Sequence, residues 1–225
     1  PSINCRLDTP AKLAAQLQAL ASTAFKPPPR IVADRSLNRD QGARRSFYRE
    51  MQELLPGADL VLMANEGCLP HCPYKDAHDA LGAYGRIHAE GADFTPVSRL
   101  GCIPRFLEQP WLCLASPFIR PEDQHGYAKE SVVLKLCGRS LGLIRLLRII
   151  TAYETGLYEG NLLDLLDAQD ALRQRIDIAN DRLPRDFHTR TASCRTRCHA
   201  CGYCADSFRM AGQTHPSRLL PLDAP

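Results

Sequence analysis

The chain has 225 residues, 44% of them hydrophobic and 24% charged, which suits one substantial core and excludes a disordered chain. Twenty-eight Lys and Arg against 25 Asp and Glu leave a net charge of +3, too balanced to argue nucleic-acid binding by itself. No run approaches about 18 apolar residues, so no membrane span is expected.

The first strand is expected at Ser2 to Arg6. Pro10 to Ser22 follows as a helix, with Thr9 as its cap and Pro10 in its first turn. Short apolar runs then alternate with amphipathic segments. The runs are Ile31-Val32-Ala33, Leu60 to Met63, Trp111 to Leu114 and Val132 to Leu136. Each is short and nearly continuous, the pattern of a strand buried on both faces. The helical segments are Gln41 to Leu55, His78 to His88 and Leu141 to Thr155. A further helix is expected from Asn161 to Arg182, with Leu162, Leu163, Leu165, Leu166, Leu172 and Ile176 on its apolar face.

This alternation implies an α/β fold with a parallel sheet. About five β–α units are too few for a complete eight-stranded barrel. The expectation is a partial or complete parallel (β/α) barrel over residues 1–181, with a Cys-rich, metal-binding C-terminal appendage over residues 182–225. A start in mid-strand without Met favours a barrel whose first strands are missing from this chain. From Arg182 to Arg218 the chain carries seven Arg against two Asp, and few apolar residues. Such a segment needs a metal rather than a core of its own.

Cysteine is over-represented, with ten in the chain at positions 5, 68, 72, 102, 113, 137, 194, 198, 201 and 204. Several lie three or four residues apart, which suits metal ligation better than disulfide bridging, in a cytoplasmic protein. The strongest motif is Cys194-x3-Cys198-x2-Cys201-x2-Cys204. Gaps of two and three residues let a tight loop wrap a compact iron–sulfur cube, whereas zinc knuckles are usually separated by a longer loop. A 4Fe–4S cluster is expected there; zinc, and free or disulfide-forming thiols, are the alternatives. Arg195 and Arg197 would offset thiolate charge, and His199 could replace one ligand. The first three cysteines also match the spacing of radical-SAM enzymes, but at the wrong end of the chain and without the usual aromatic before the third.

The second motif is Asn65-Glu66-Gly67-Cys68-x3-Cys72, after the Leu60 strand, where parallel α/β proteins build their active sites. Cys68, Cys72 and Cys102 are the candidate ligands of a second cofactor, with Cys5 as a fourth. Cys113 and Cys137 read as core residues. Arg120, in Ser116-Pro-Phe-Ile-Arg120-Pro-Glu122-Asp123, and Lys135 and Arg139, in Lys135-x-x-Gly138-Arg139, stand at later strand ends. Glu122 and Asp123 suit the start of a helix. Asp34-Arg35-Ser36-Leu37-Asn38-Arg39 repeats the basic theme after an earlier strand. Three basic groups at successive strand ends point to an anionic ligand, a small molecule or RNA.

At these residues the chain resembles the collagenase-like peptidase family U-thirty-two. The resemblance is carried by Asn65-Glu66-Gly67-Cys68-x3-Cys72, Ser116 to Asp123 and Lys135-x-x-Gly138-Arg139, within Ser2 to Gly160. It implies a barrel-type fold, a 4Fe–4S cluster and oxygen-independent hydroxylation of RNA bases or of a quinone precursor. Glu66, Arg120, Lys135 and Arg139 would then serve catalysis. Glu66 departs from the Arg that many members carry, and the Cys194 to Cys204 motif lies outside the family pattern, so a second cluster passing electrons is expected there. No Ser/His/Asp order or H-E-x-x-H motif supports peptidase chemistry. Two other readings stand beside this one. The chain could be a non-catalytic, metal-stapled subunit of a larger assembly, with an electron donor or a second subunit as its partner. It could also be an RNA-binding module using its basic tail.

Overall fold

The computed structural model describes residues 3–80, 101–130, 132–138, 141–194 and 197–215. Its centre is a three-stranded parallel sheet in sequential order, β1 (Arg30–Val32), β2 (Asp59–Met63) and β3 (Val132–Lys135). Ile31 pairs with Leu60, which in turn pairs with Val132; Met63 pairs with Lys135. In β2 the residues Leu60 to Met63 are all buried, as a central strand covered on both faces must be.

Local chemistry sets the helices around this sheet. Helix α1 (Pro10–Ala21) begins where the Thr9 hydroxyl accepts the Lys12 N–H at 3.4 Å. Helix α2 (Gln41–Leu54) is capped by Asp40, which accepts from the Ala43 N–H at 2.9 Å. Arg44, Phe47 and Met51, spaced for one helix face, turn inward. Two short helices, α3 (Cys102–Glu108) and α4 (Leu112–Ala115), precede β3, and α5 (Leu143–Thr155) follows it. Gly156, at φ 70°, ends α5 in the left-handed conformation that glycine adopts without strain.

The remaining elements are β4 (Ile176–Ile178), α6 (Phe187–Thr191), α7 (Cys198–Cys201), α8 (Tyr203–Ala211) and β5 (Gly212–Thr214). Strands β4 and β5 form an antiparallel pair, with Ile178 opposite Gly212. Two apolar clusters result. One surrounds the parallel sheet and includes Leu13, Leu60, Phe47 and Ile149. The other gathers Phe106, Leu114, Phe118, Leu172, Ile176 and Phe187, and Tyr203, Cys204 and Phe208 of α8 pack against it. The cysteine-rich segment is therefore seated on a core that earlier parts of the chain supply.

The mixed α/β class and the parallel sheet stand, but the described residues form no full barrel. Four further expectations are corrected. Residues Ile3–Cys5 form a 3-10 turn, not a strand. Arg6, at φ 50°, donates its N–H to the Ile3 carbonyl and turns the chain so that Leu7 enters the core. The run Trp111 to Leu114 is helical, because the Gln109 and Pro110 carbonyls accept from Leu112 and Cys113. Four apolar residues cannot separate a buried strand from a buried helical turn by periodicity. The expected helix from Asn161 to Arg182 is instead turns around β4. The Asn161 side chain accepts from the Leu163 and Ile178 N–H groups and donates to the Ile176 carbonyl, replacing the helical ladder. Arg120 ends no strand either; Ile119 before it donates a single backbone bond to Ala64, beyond the end of β2. The expected helix His78 to His88 is helical as far as residue 80 and otherwise lies outside the described residues. Among the described residues no helix is long and apolar enough to cross a membrane.

Candidate functional site

The segment after β2 is held from several sides. Asn65 is fully buried, donating to the Leu165 carbonyl at 2.9 Å and the Cys137 carbonyl at 3.1 Å, and accepting from the Cys137 N–H at 2.7 Å. It thereby ties the end of β2 to the chain beyond β3. Gly67 donates to the Asp167 carbonyl, and its own carbonyl accepts from Gln169 at 2.6 Å and Ser116 at 2.8 Å. A Cβ at Gly67 would lie 2.7 Å from the Gln169 side chain, so only glycine fits this approach.

Glu66 faces two cations. One carboxylate oxygen accepts from Arg35 and lies 3.1 Å from the Lys75 ammonium. Lys75 also reaches Asp79 at 2.6 and 2.8 Å. Arg35, from the turn after β1, further donates to the Leu69 carbonyl at 3.3 Å. Burial pushes the Cys68 thiol up to about 12; the Glu66 charge adds to the shift, and Lys75 and Arg35 oppose it. Beside this ion cluster a cavity of about 250 Å³ opens at the carboxyl ends of β1 and β2, lined by Arg6, Asp34, Arg35, His71, Cys72 and Asp76.

The expected site residues fall into separate places. Glu66 and Cys68 share the surroundings of Arg35 and Lys75. Cys102 is within electrostatic reach of Cys72, and burial first, then Cys72, raises its pKa. Cys5 packs against the first apolar cluster, and Cys113 is buried in the second. Burial also pushes Cys113 and Cys137 up to about 12. Arg120 turns to its own helix start, donating to Asp123 at 2.7 and 2.8 Å over the Phe187 ring. Lys135 is exposed at the end of β3. Arg139 lies outside the described residues, as does Arg195. Arg6 and His71 also line the cavity; of the two only His71 is marked by its sequence position, inside the Cys68–Cys72 segment.

The C-terminal motif is arranged differently. Cys194, Cys198, Cys201 and Cys204 all line one cavity of about 480 Å³, together with Trp111 and Tyr203. Cys198 and Cys201 open and close α7, and Gly202, at φ 68°, turns the chain so that Cys204 returns from α8. Cys194 is placed by the strand-like contact of Asp40 with Ser193 and by the Gln41 N–H bonded to the Ala192 carbonyl at 2.8 Å. Burial raises the Cys204 pKa to about 11; Arg39 opposes this and the other three cysteines add to it. His199 is exposed. Four soft sulfur donors around one void fit a metal–sulfur group by donor type and by room. Among the described residues no three His, Cys, Asp or Glu side chains stand close enough together to hold a metal ion.

No protein-family profile matches the chain, and no solved structure matches it. A protein of Methanocaldococcus jannaschii named an uncharacterized protease is 28% identical to it over 179 residues, 78% of this chain and 51% of that protein. The chain thus spans about half the length of the curated relative it matches. The likeness agrees with the family resemblance carried by Asn65 to Cys72.

Proposed function

We propose that the chain is an iron–sulfur protein serving a modifying reaction on an anionic substrate, of the oxygen-independent hydroxylation type. The observation that carries this reading is the convergence of Cys194, Cys198, Cys201 and Cys204 on a single cavity. Those four would hold a 4Fe–4S cluster, which supplies one-electron chemistry when bound. Cys68, Cys72 and Cys102 are the candidate ligands of a second group near the strand ends. The chain's own contribution there is electrostatic. Glu66 fixes the Arg35 guanidinium at the rim of the 250 Å³ cavity, and Arg6 approaches from the chain start. Both cations line that space, but Arg6 is already paired with Asp76 and lies 3.7 Å from Asp79 and 3.9 Å from Asp34, so a carboxylate or phosphate there would compete with these acids for it. Peptidase chemistry, which the relative's name and the family's name bring in, has no catalytic motif behind it in this sequence.

A second reading has one observation in its favour. Because α8 packs on the second apolar cluster through Tyr203 and Phe208, a metal on the same four cysteines would staple that segment to the core. Iron and acid-labile sulfide analysis of anaerobically purified protein separates the two. We expect about four irons and four sulfides per chain, with a broad brown absorbance shoulder. Zinc in place of iron would leave only the staple, and neither metal would overturn both.

A further inference from the structure

Arg39 is a buried cation with no carboxylate in ion-pair distance among the described residues; Asp123, paired with Arg120, acts on it only from farther off. It is 6% exposed, and its guanidinium lies over the Phe118 ring at 4.9 Å and the Phe187 ring at 5.4 Å. One of its terminal nitrogens donates to the Ser116 carbonyl at 2.6 Å and the Leu114 carbonyl at 3.4 Å. Its Nε–H has no partner among the described residues, and no ion pair there includes it. Taking a guanidinium out of water costs several kcal/mol unless an anion answers it. Two neutral carbonyls and two ring faces answer it only in part.

The sulfur centre lies next door. Gln41 and Asp40, which follow Arg39, are bonded to the backbone of Ala192 and Ser193, which precede Cys194. Cys194 lines both the four-thiol cavity and a neighbouring one of about 600 Å³ that Arg39 also lines. Phe187, under Arg39, stands 6.3 Å from the Tyr203 ring, beside Cys204. Burial lowers the Arg39 pKa, and Tyr127, Cys204, Cys194 and Asp123 oppose that shift, in that order.

We propose that Arg39 is the internal counter-cation of the centre held by Cys194, Cys198, Cys201 and Cys204, with its free Nε–H as a donor toward sulfur. The inference rests on the function proposed above. Four thiolates leave a bound cluster net negative, and a fixed cation beside it favours the reduced state and slows loss of metal. It also accounts for a charge that the apolar cluster would otherwise have no reason to enclose.

The test uses the full chain, anaerobically purified and reconstituted with iron and sulfide, as wild type, Arg39→Met, Arg39→Gln and Arg39→Lys. Folding of each is checked by far-ultraviolet circular dichroism. We expect both neutral variants to lower the cluster's potential by about 59 mV, a tenfold shift for one electron. They should also lose iron to a chelator about tenfold faster, whereas Arg39→Lys stays near wild type. Should Arg39→Met fail to fold, Arg39→Gln against Arg39→Lys decides. A role confined to clamping Leu114 and Ser116 would lower thermal stability and leave the potential where it was. Loaded wild type with unchanged potential and iron retention in the neutral variants would overturn the role of Arg39 alone. Wild type without iron and sulfide would overturn the functional reading, and this inference with it.

Discussion

Replacing Glu66 by Ala is expected to destabilise the fold by about 3–5 kcal/mol, because it strands charge in the interior. Glu66 is 7% exposed and Arg35 4%. The carboxylate is the ion-pair partner of Arg35 and is shared with Lys75. Lys75 keeps Asp79 after the substitution, whereas Arg35 keeps the Cys68 side chain, the Leu69 carbonyl and the weaker influence of Asp34. Urea unfolding measures the loss. The double variant Arg35→Met with Glu66→Leu should recover most of it, since apolar residues of similar volume often replace a buried pair without loss. A cost within about 0.5 kcal/mol for Glu66→Ala would mean that the pair is solvated and that Glu66 does not organise the strand ends.

Phe187→Ala is expected to cost about 3–5 kcal/mol for a different reason. Phe187 is 1% exposed and stacks on Phe118 at 6.0 Å with an interplanar angle of 15°. Arg39 and Arg120 lie over its ring, at 5.4 and 5.0 Å from its centre, and Tyr203 borders it. Truncation therefore opens a cavity and removes the aromatic surface from two guanidinium groups at once. Because Tyr203 and Cys204 share that cluster, the variant should also bind metal more weakly than wild type. Unfolding monitored with and without bound iron reads both effects. A loss below about 1 kcal/mol would show that the second cluster does not seat the cysteine segment.

The parallel sheet was legible because its strands are short, apolar and bounded by Pro or Gly, as at Pro56-Gly57 before β2. Thr9 caps its helix as the Thr-Pro start leads one to expect. The segment 161–182 was misread because its leucines fit a helical stripe, while the Asn161 side chain takes the bonds that a helix would need. Periodicity registers burial but not competition for backbone groups. At the strand ends, charge was legible and pairing was not. Arg120 looked available to a ligand, yet Asp123, three residues on, answers it. Glu66 and Arg35 are 31 positions apart in sequence and meet only through the β1–β2 pairing. Arg39 shows in the sequence only as the end of the basic run Asp34 to Arg39; nothing in a linear sequence marks an arginine that two phenylalanines from distant segments will enclose.

The most direct measurement is anomalous X-ray scattering from crystals of anaerobically prepared protein, collected on either side of the iron edge. The account predicts a compact iron peak inside the cavity bounded by Cys194, Cys198, Cys201 and Cys204. Scattering at the zinc edge alone, or no metal among those four sulfurs, would contradict it.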